Sequence, residues 1–181
     1  MPLGIFIMSW SKLKQQMEGM LADSLQGRIQ YHVTHYKMSA GHYEGHGRAW
    51  ITLDGKELCS FSEIEHEKEY YRLADQLRQI SGATDYTDPS QQADYYLAWE
   101  QAGQILLQKG VYSQAHFCHA LREYLSLSIS EILQSEDPVI RALGIFDRRA
   151  GKRRLMDMEF PGDSFSLAKR FYRIRCEAEN L

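Results

Sequence analysis

Gly47-Arg48-Ala49-Trp50-Ile51-Thr52-Leu53-Asp54-Gly55-Lys56-Glu57-Leu58-Cys59-Ser60 is the stretch on which the fold turns. Ala49 to Leu53 has the β-branched and aromatic character of a strand, Asp54-Gly55 is a signal for a tight type I′ turn, and Lys56 to Ser60 returns alongside. Upstream, Arg28 to Tyr36 alternates Ile29, Tyr31, Val33 and His35 with Gln30, His32 and Thr34, which predicts a strand with one drier face. Three such segments in succession make a small antiparallel meander.

Helical spacing surrounds the meander. Trp10, Leu13, Met17, Met20 and Leu21 recur at three and four across Ser9 to Leu25, with Ser9 or Ser11 as N-cap and Gly27 just beyond. After Phe61-Ser62, an acidic opening leads into Tyr70, Tyr71, Leu73, Leu77 and Ile80, a helix capped by Ser62 or Ser60 and stopped by Ser81-Gly82. Ala83 to Ser90 reads as a linker. Beyond it, helices are expected over Ala93 to Lys109, Ser113 to Gln134, Val139 to Arg149 opened by Pro138, and Ser164 to Glu179. The fold class is α+β: an N-terminal helix and meander packed against a helical bundle. The expected organisation is a disordered start over 1–8, a lobe over 9–82 and a helical lobe over 90–181, together forming one cooperative domain.

The bulk numbers describe an ordinary globular chain of 181 residues, 44% hydrophobic and 25% charged, with a net charge of -3 and a mean hydropathy of -0.46. That balance argues against a general nucleic-acid coat or a polybasic membrane binder. The average conceals an asymmetry, because Arg141 to Arg175 carries about +6 and the rest of the chain about -9. Cys59, Cys118 and Cys176 are far apart and odd in number, the pattern of reduced thiols. The apolar run Gly4 to Met8 is too short for a membrane span and lacks a basic flank, so neither a signal peptide nor a membrane partner is expected.

The usual catalytic signatures fail in turn. His66-Glu67-Lys68-Glu69-Tyr70 starts like a zinc-protease helix but has Tyr70 where the second imidazole is needed. There is no nucleophile elbow, phosphate-binding loop or dinucleotide fingerprint. His42 and His46 lie in a glycine-rich stretch that fixes them towards no common point. His32 and His35 are three apart on a strand and face opposite ways, and His116, Cys118 and His119 converge two ligands at most. Glu63, Glu65, Glu67 and Glu69 read as a solvated, dipole-favoured helix start. No catalytic residue, metal or cofactor is assigned.

The sharpest local feature is Asp147-Arg148-Arg149-Ala150-Gly151-Lys152-Arg153-Arg154, where Gly151 breaks the helix and gathers five cations around one turn. Arg148, Arg149, Lys152, Arg153 and Arg154 are the candidate ligand- or anion-binding residues, with Lys169, Arg170, Arg173 and Arg175 placed to extend the patch. The competing expectation is that these arginines pair internally with Asp147 and the acidic helix. Of the many helical tyrosines, Tyr95 and Tyr96 cannot both face inward, so one of them belongs to a partner or dimer surface.

Ser9-Trp10-Ser11-Lys12-Leu13-Lys14, Leu25 to Tyr36 with Gly47-Arg48 and Asp54 to Glu57, Asp147 to Leu155, and Phe171 to Glu179 together resemble a family of uncharacterised small bacterial cytoplasmic proteins. The resemblance implies a bacterial source, a cytoplasmic location and Met8 as the natural start. It carries over no activity. The leading functional expectation is therefore a non-catalytic binding or adaptor protein with a protein partner, with a homodimer also open. The alternatives are a nucleic-acid or phosphorylated-ligand binder acting through the turn at 148–154, and an enzyme with an unfamiliar site near His32, His35 and Glu57.

Overall fold

The computed structural model describes residues 9–34, 47–160 and 166–181. In chain order these form α1 (Trp10–Gly19), β1 (Ile29–Val33), β2 (Arg48–Leu53), β3 (Lys56–Ser62), α2 (Glu63–Ser81), α3 (Gln92–Lys109), α4 (Gln114–Ser126), α5 (Ile129–Gln134), α6 (Pro138–Phe146), α7 (Lys152–Met156) and α8 (Ser166–Glu179). The α+β expectation holds, and the expected disordered start at 1–8 lies outside the described residues.

The sheet is the meander read from the sequence, in the order β1-β2-β3 and antiparallel throughout, with Tyr31 opposite Ile51 and Trp50 opposite Ser60. Asp54 (φ 50°) and Gly55 (φ 76°) both occupy the left-handed region that the type I′ turn demands. Ile29, Tyr31, Ala49, Ile51 and Phe61 line the buried face, where Phe61 stacks on Phe117 with centroids 4.3 Å apart. The free edge of β1 is closed by α1: the Lys14 ammonium donates to the Tyr31 carbonyl at 3.0 Å, and the Tyr31 N–H donates to Glu18 at 3.3 Å. A strand edge satisfied in this way offers no template for another chain.

Three expected helices end early, each for a visible reason. The first stops at Gly19 because Leu21 pairs with Asp147 as an isolated antiparallel bridge, in which Ala22 N–H donates to the Phe146 carbonyl and Arg148 N–H to the Met20 carbonyl, both at 2.8 Å. The expected helix over Val139 to Arg149 ends at Phe146 for the same reason. The span Ser113 to Gln134 splits at an extended Leu127. There Ser128 accepts the Glu131 N–H while Glu131 accepts the Ser128 N–H, a capping box that starts α5 afresh.

Helix α6 is the centre of the body. Asp137 caps it by accepting the Val139 and Ile140 N–H groups, and Pro138 supplies the pre-set first turn. Gly144 lets α5 come close, since a Cβ there would lie 2.3 Å from Ile132 Cγ2. On its other side α6 packs against α8, with Phe146 stacked on Phe171 at 4.2 Å. Helices α2 and α3 pack against each other and enclose a separate small cluster of Leu73, Ala74, Ala102 and Leu106, flanked by Tyr70, Leu77 and Trp99. They form an arm, and its root is fastened by Glu63, whose carboxylate accepts the Ala115 N–H at the start of α4.

Candidate functional site

The basic turn resolves into two sets of side chains with different fates. Asp147 is 1% exposed and organises the first set. One of its oxygens accepts the Arg149 N–H at 2.7 Å; the other accepts Arg149 Nε and Nη2 at 2.9 and 2.7 Å and the Tyr124 hydroxyl. Burial first, and then the Asp147 charge, push the Tyr124 phenol far above its ordinary value, so it remains a donor. The Asp147 hydrogen bond holds the Arg149 guanidinium above its usual value. Arg149 is therefore the internal partner of a buried carboxylate.

Arg175 does not extend a surface patch. At 3% exposure it points inward, donating to the carbonyls of Ile145, Asp147 and Ala150 and pairing with Glu179 at 2.7 Å. Its role is to satisfy carbonyls where α6 ends and the chain turns. The second set faces solvent. Arg148, Lys152 and Arg153 are exposed with no ion-pair partner among the described residues, and exposed Arg154 donates to the Arg149 carbonyl at 3.2 Å. Lys152, Arg153 and Arg154 border a shallow recess of about 530 Å³ that also holds the Asp157 carboxylate.

The other expected positions are scattered. On the outer sheet face His32 stacks on Trp50 at 5.0 Å and shares a 3.1 Å hydrogen bond with Thr52. Burial, and then Lys14, hold its imidazole below the usual range. Glu57 pairs with Arg48, whose guanidinium also covers the Trp50 ring at 5.2 Å and bonds Ser60 at 3.1 Å. His32 and Glu57 thus serve separate pairings on different strands; His35, His42 and His46 lie outside the described residues. His116 bonds Asp137 at 2.6 Å, and exposed His119 faces Glu123 at 3.6 Å. Among the described residues no group of three His, Cys, Asp or Glu side chains is placed to hold a metal, and no helix is long and apolar enough to cross a membrane.

The arm presents a different kind of surface. Tyr71, Ile80, Tyr86, Tyr96 and Leu97 are exposed on it, with Ile80 at 83%. Tyr95 lies half-buried against Arg78, whose guanidinium sits 4.5 Å from both the Tyr95 and Trp99 rings, while Tyr96 faces out. Leu97, Gln101, Gln104 and Gln108 form an outward stripe beside a shallow groove of about 410 Å³, and Glu100 is the sole charge on the groove lining.

A meander backed by a helical body and carrying a helical arm defines a protein of the α+β class. Residues 9–176 match the SF0329 protein family, a family of unknown function, and the chain belongs to it. No curated protein and no solved structure matches the chain.

Proposed function

We propose that the protein is a non-catalytic binding protein of the bacterial cytoplasm that uses the α2–α3 arm to hold a weakly charged helix of a partner protein. One observation carries this reading: α3 is apolar where it meets α2, and the stripe it turns outward is uncharged, with Glu100 as the one charge on the groove lining beside it. One side, through Ala98, Ala102 and Leu106, closes on α2. The other carries Leu97, Gln101, Gln104 and Gln108 at spacings of four, three and four, the period at which one helix meets the ridges of another. A stripe with so little charge favours an equally uncharged partner face, since desolvating an unmatched charge there would oppose association. The free thiols of Cys59, Cys118 and Cys176 suit a reducing compartment.

Site-specific photo-crosslinking in cells tests the proposal, with the photoreactive residue placed at Leu97, at Gln104 or, as a control, at Arg153. The expected result is a discrete adduct with another protein from the two arm positions, absent at Arg153 and suppressed when Gln101 is changed to Glu. An adduct of twice the chain's own mass would replace the partner with a second copy and overturn the reading. So would adducts confined to Arg153, or none from the arm.

The exposed Arg148, Lys152 and Arg153 support a second reading, oxyanion or nucleic-acid contact at the turn. Asp157 in the same recess and the internal use of Arg149 weaken it. The clean variant is Lys152→Ala with Arg153→Ala, because Arg149→Ala would also strip Asp147 of its cation. Salt-sensitive binding of a single-stranded oligonucleotide, lost in that variant, would favour this reading over the arm.

A further inference from the structure

A cavity of about 350 Å³ opens where three parts of the molecule meet: the outer edge of β3 at Cys59 to Phe61, the foot of the arm at Lys109 and Gly110, and α8 at Leu167 and Arg170. Its walls are chemically divided. Phe61 and Leu167 are buried and apolar, whereas Lys109 and Arg170 are exposed and have no ion pair among the described residues. Tyr112 also lines the cavity and is 4% exposed. Its hydroxyl is buried with no hydrogen-bond partner among the described residues, and it feels the Asp137 charge and, after it, the Cys59 thiol on the same wall. A buried hydroxyl without a partner is costly, and such groups are uncommon in native proteins.

Electrostatics run the same way. Burial holds the Cys59 thiol up at about 12 despite the opposing pull of Arg170, so the thiol stays neutral and adds no negative charge to the cavity. Glu69 on the arm feels the Lys109 charge, but Glu69 is already paired with Arg72 at 2.6 Å. Two cations at the rim, apolar walls and one waiting hydroxyl are the complement of a small amphipathic anion.

We propose that this cavity binds a small organic oxyanion with a short apolar body. The charged end sits between Lys109 and Arg170, the body lies on Phe61 and Leu167, and an acceptor oxygen of the ligand takes the Tyr112 hydroxyl. The site is independent of the arm's outer stripe, being formed at its foot. Arg170 offers a planar fork that suits either a carboxylate or a phosphate ester, and Lys109 adds a point charge.

Titrations of the full chain followed by amide NMR test this, with phenylacetate, phenyl phosphate, inorganic phosphate and benzyl alcohol as probes. Saturable shifts confined to residues 58–61, 109–112 and 167–170 are expected for at least one of the two aromatic anions. Arg170→Met is expected to weaken that binding about tenfold. Benzyl alcohol and inorganic phosphate, each with half of the required chemistry, are expected to bind more weakly than the aromatic anion.

Tyr112→Phe separates a binding role from a structural one. Losing the unpartnered hydroxyl should leave Tm unchanged or raised while weakening the anion about fivefold. Absence of saturable shifts with both aromatic anions up to about 10 mM, a range in which even weak specific sites register, would overturn the proposal. Undiminished affinity in Arg170→Met, or a Tm loss in Tyr112→Phe with affinity intact, would also overturn it. Inorganic phosphate binding as tightly as the aromatic anions would reduce the site to a plain charge pair and remove the apolar ligand from it.

Discussion

Helices α6 and α3 show how differently one chain can use a helix. In α6, eight of nine residues are buried, all but Arg141, so the helix touches neighbours on every side. In α3, Ala98, Ala102 and Leu106 are the buried residues among eighteen, and they face a single neighbour. Burial of apolar area is the main favourable term in folding, so stability resides in the body. The arm is held by a small cluster and keeps most of its surface for solvent or another molecule. Regions of this kind open at lower free energy than the core they are attached to.

The sharpest way to break the contrast is at the body's buried carboxylate. Asp147→Ala leaves Arg149 and the Tyr124 hydroxyl without their acceptor, and the expected loss is about 3–5 kcal/mol in chemical denaturation. Asp147→Asn, which keeps an acceptor for Tyr124 but no charge for Arg149, is expected to lose less. Equal losses would mean that the charge is irrelevant.

Next comes the arm's own cluster. Leu106→Ala is expected to cost about 2–3 kcal/mol, at the low end for a core leucine because the cluster can partly collapse. The loss should appear as faster amide exchange within α2 and α3 while the amides of α6 and α8 keep their protection. Uniform loosening of both regions would show that arm and body unfold as one unit.

These two regions were unequally legible in the sequence. The Asp54-Gly55 turn, the Ser62 cap and the Pro138 start rest on local rules that tertiary packing did not override, and all three hold. The end of α1 depended on Leu21 meeting Asp147 across the chain, which no helical period encodes. The Ser128 to Glu131 capping box is written in the sequence, but continuous apolar spacing on both sides hid the break. Among the cations of the turn, composition could not separate Arg149 and Arg175 from Lys152 and Arg153. Whether an arginine turns inward depends on whether the fold buries its acceptor, here Asp147 two residues before Arg149 and the three distant carbonyls that Arg175 meets. The cavity was invisible for the same reason, since Cys59, Tyr112 and Arg170 are brought together by three different elements.

Two smaller effects sharpen the comparison. Arg78 is buried between Tyr95 and Trp99 and pairs with Asp75, so Arg78→Met is expected to cost the arm about 1 kcal/mol, mostly as lost cation–π contact. Trp99 fluorescence would report it. The smallest expected effect belongs to His32 on the sheet. Burial, followed by Lys14, lowers its folded pKa below the usual 6.5, so the unfolded chain binds that proton more tightly. Its contribution is intact above that value and is lost as pH falls through the lower folded value. Comparing Tm across this window, wild type should lose slightly more than His32→Gln. A larger acid loss in the variant would reverse the sign of the assignment.

The bridge between Leu21 and Asp147 also has a consequence in time. A ribosome releases Leu21 long before Asp147, and Arg175, which secures the carbonyls of the same turn, follows later still. Ser24 likewise waits for Glu179. Until those later residues emerge, the end of α1 lacks its partners, and the apolar face built on Leu13, Met17 and Leu21 can close only in part, against the sheet and α4. Nascent chains arrested before about residue 147 should therefore be open to protease around residues 20–25, and chains extended past Glu179 should be closed there. The fold is sealed late in synthesis, by the same turn whose charges first drew notice.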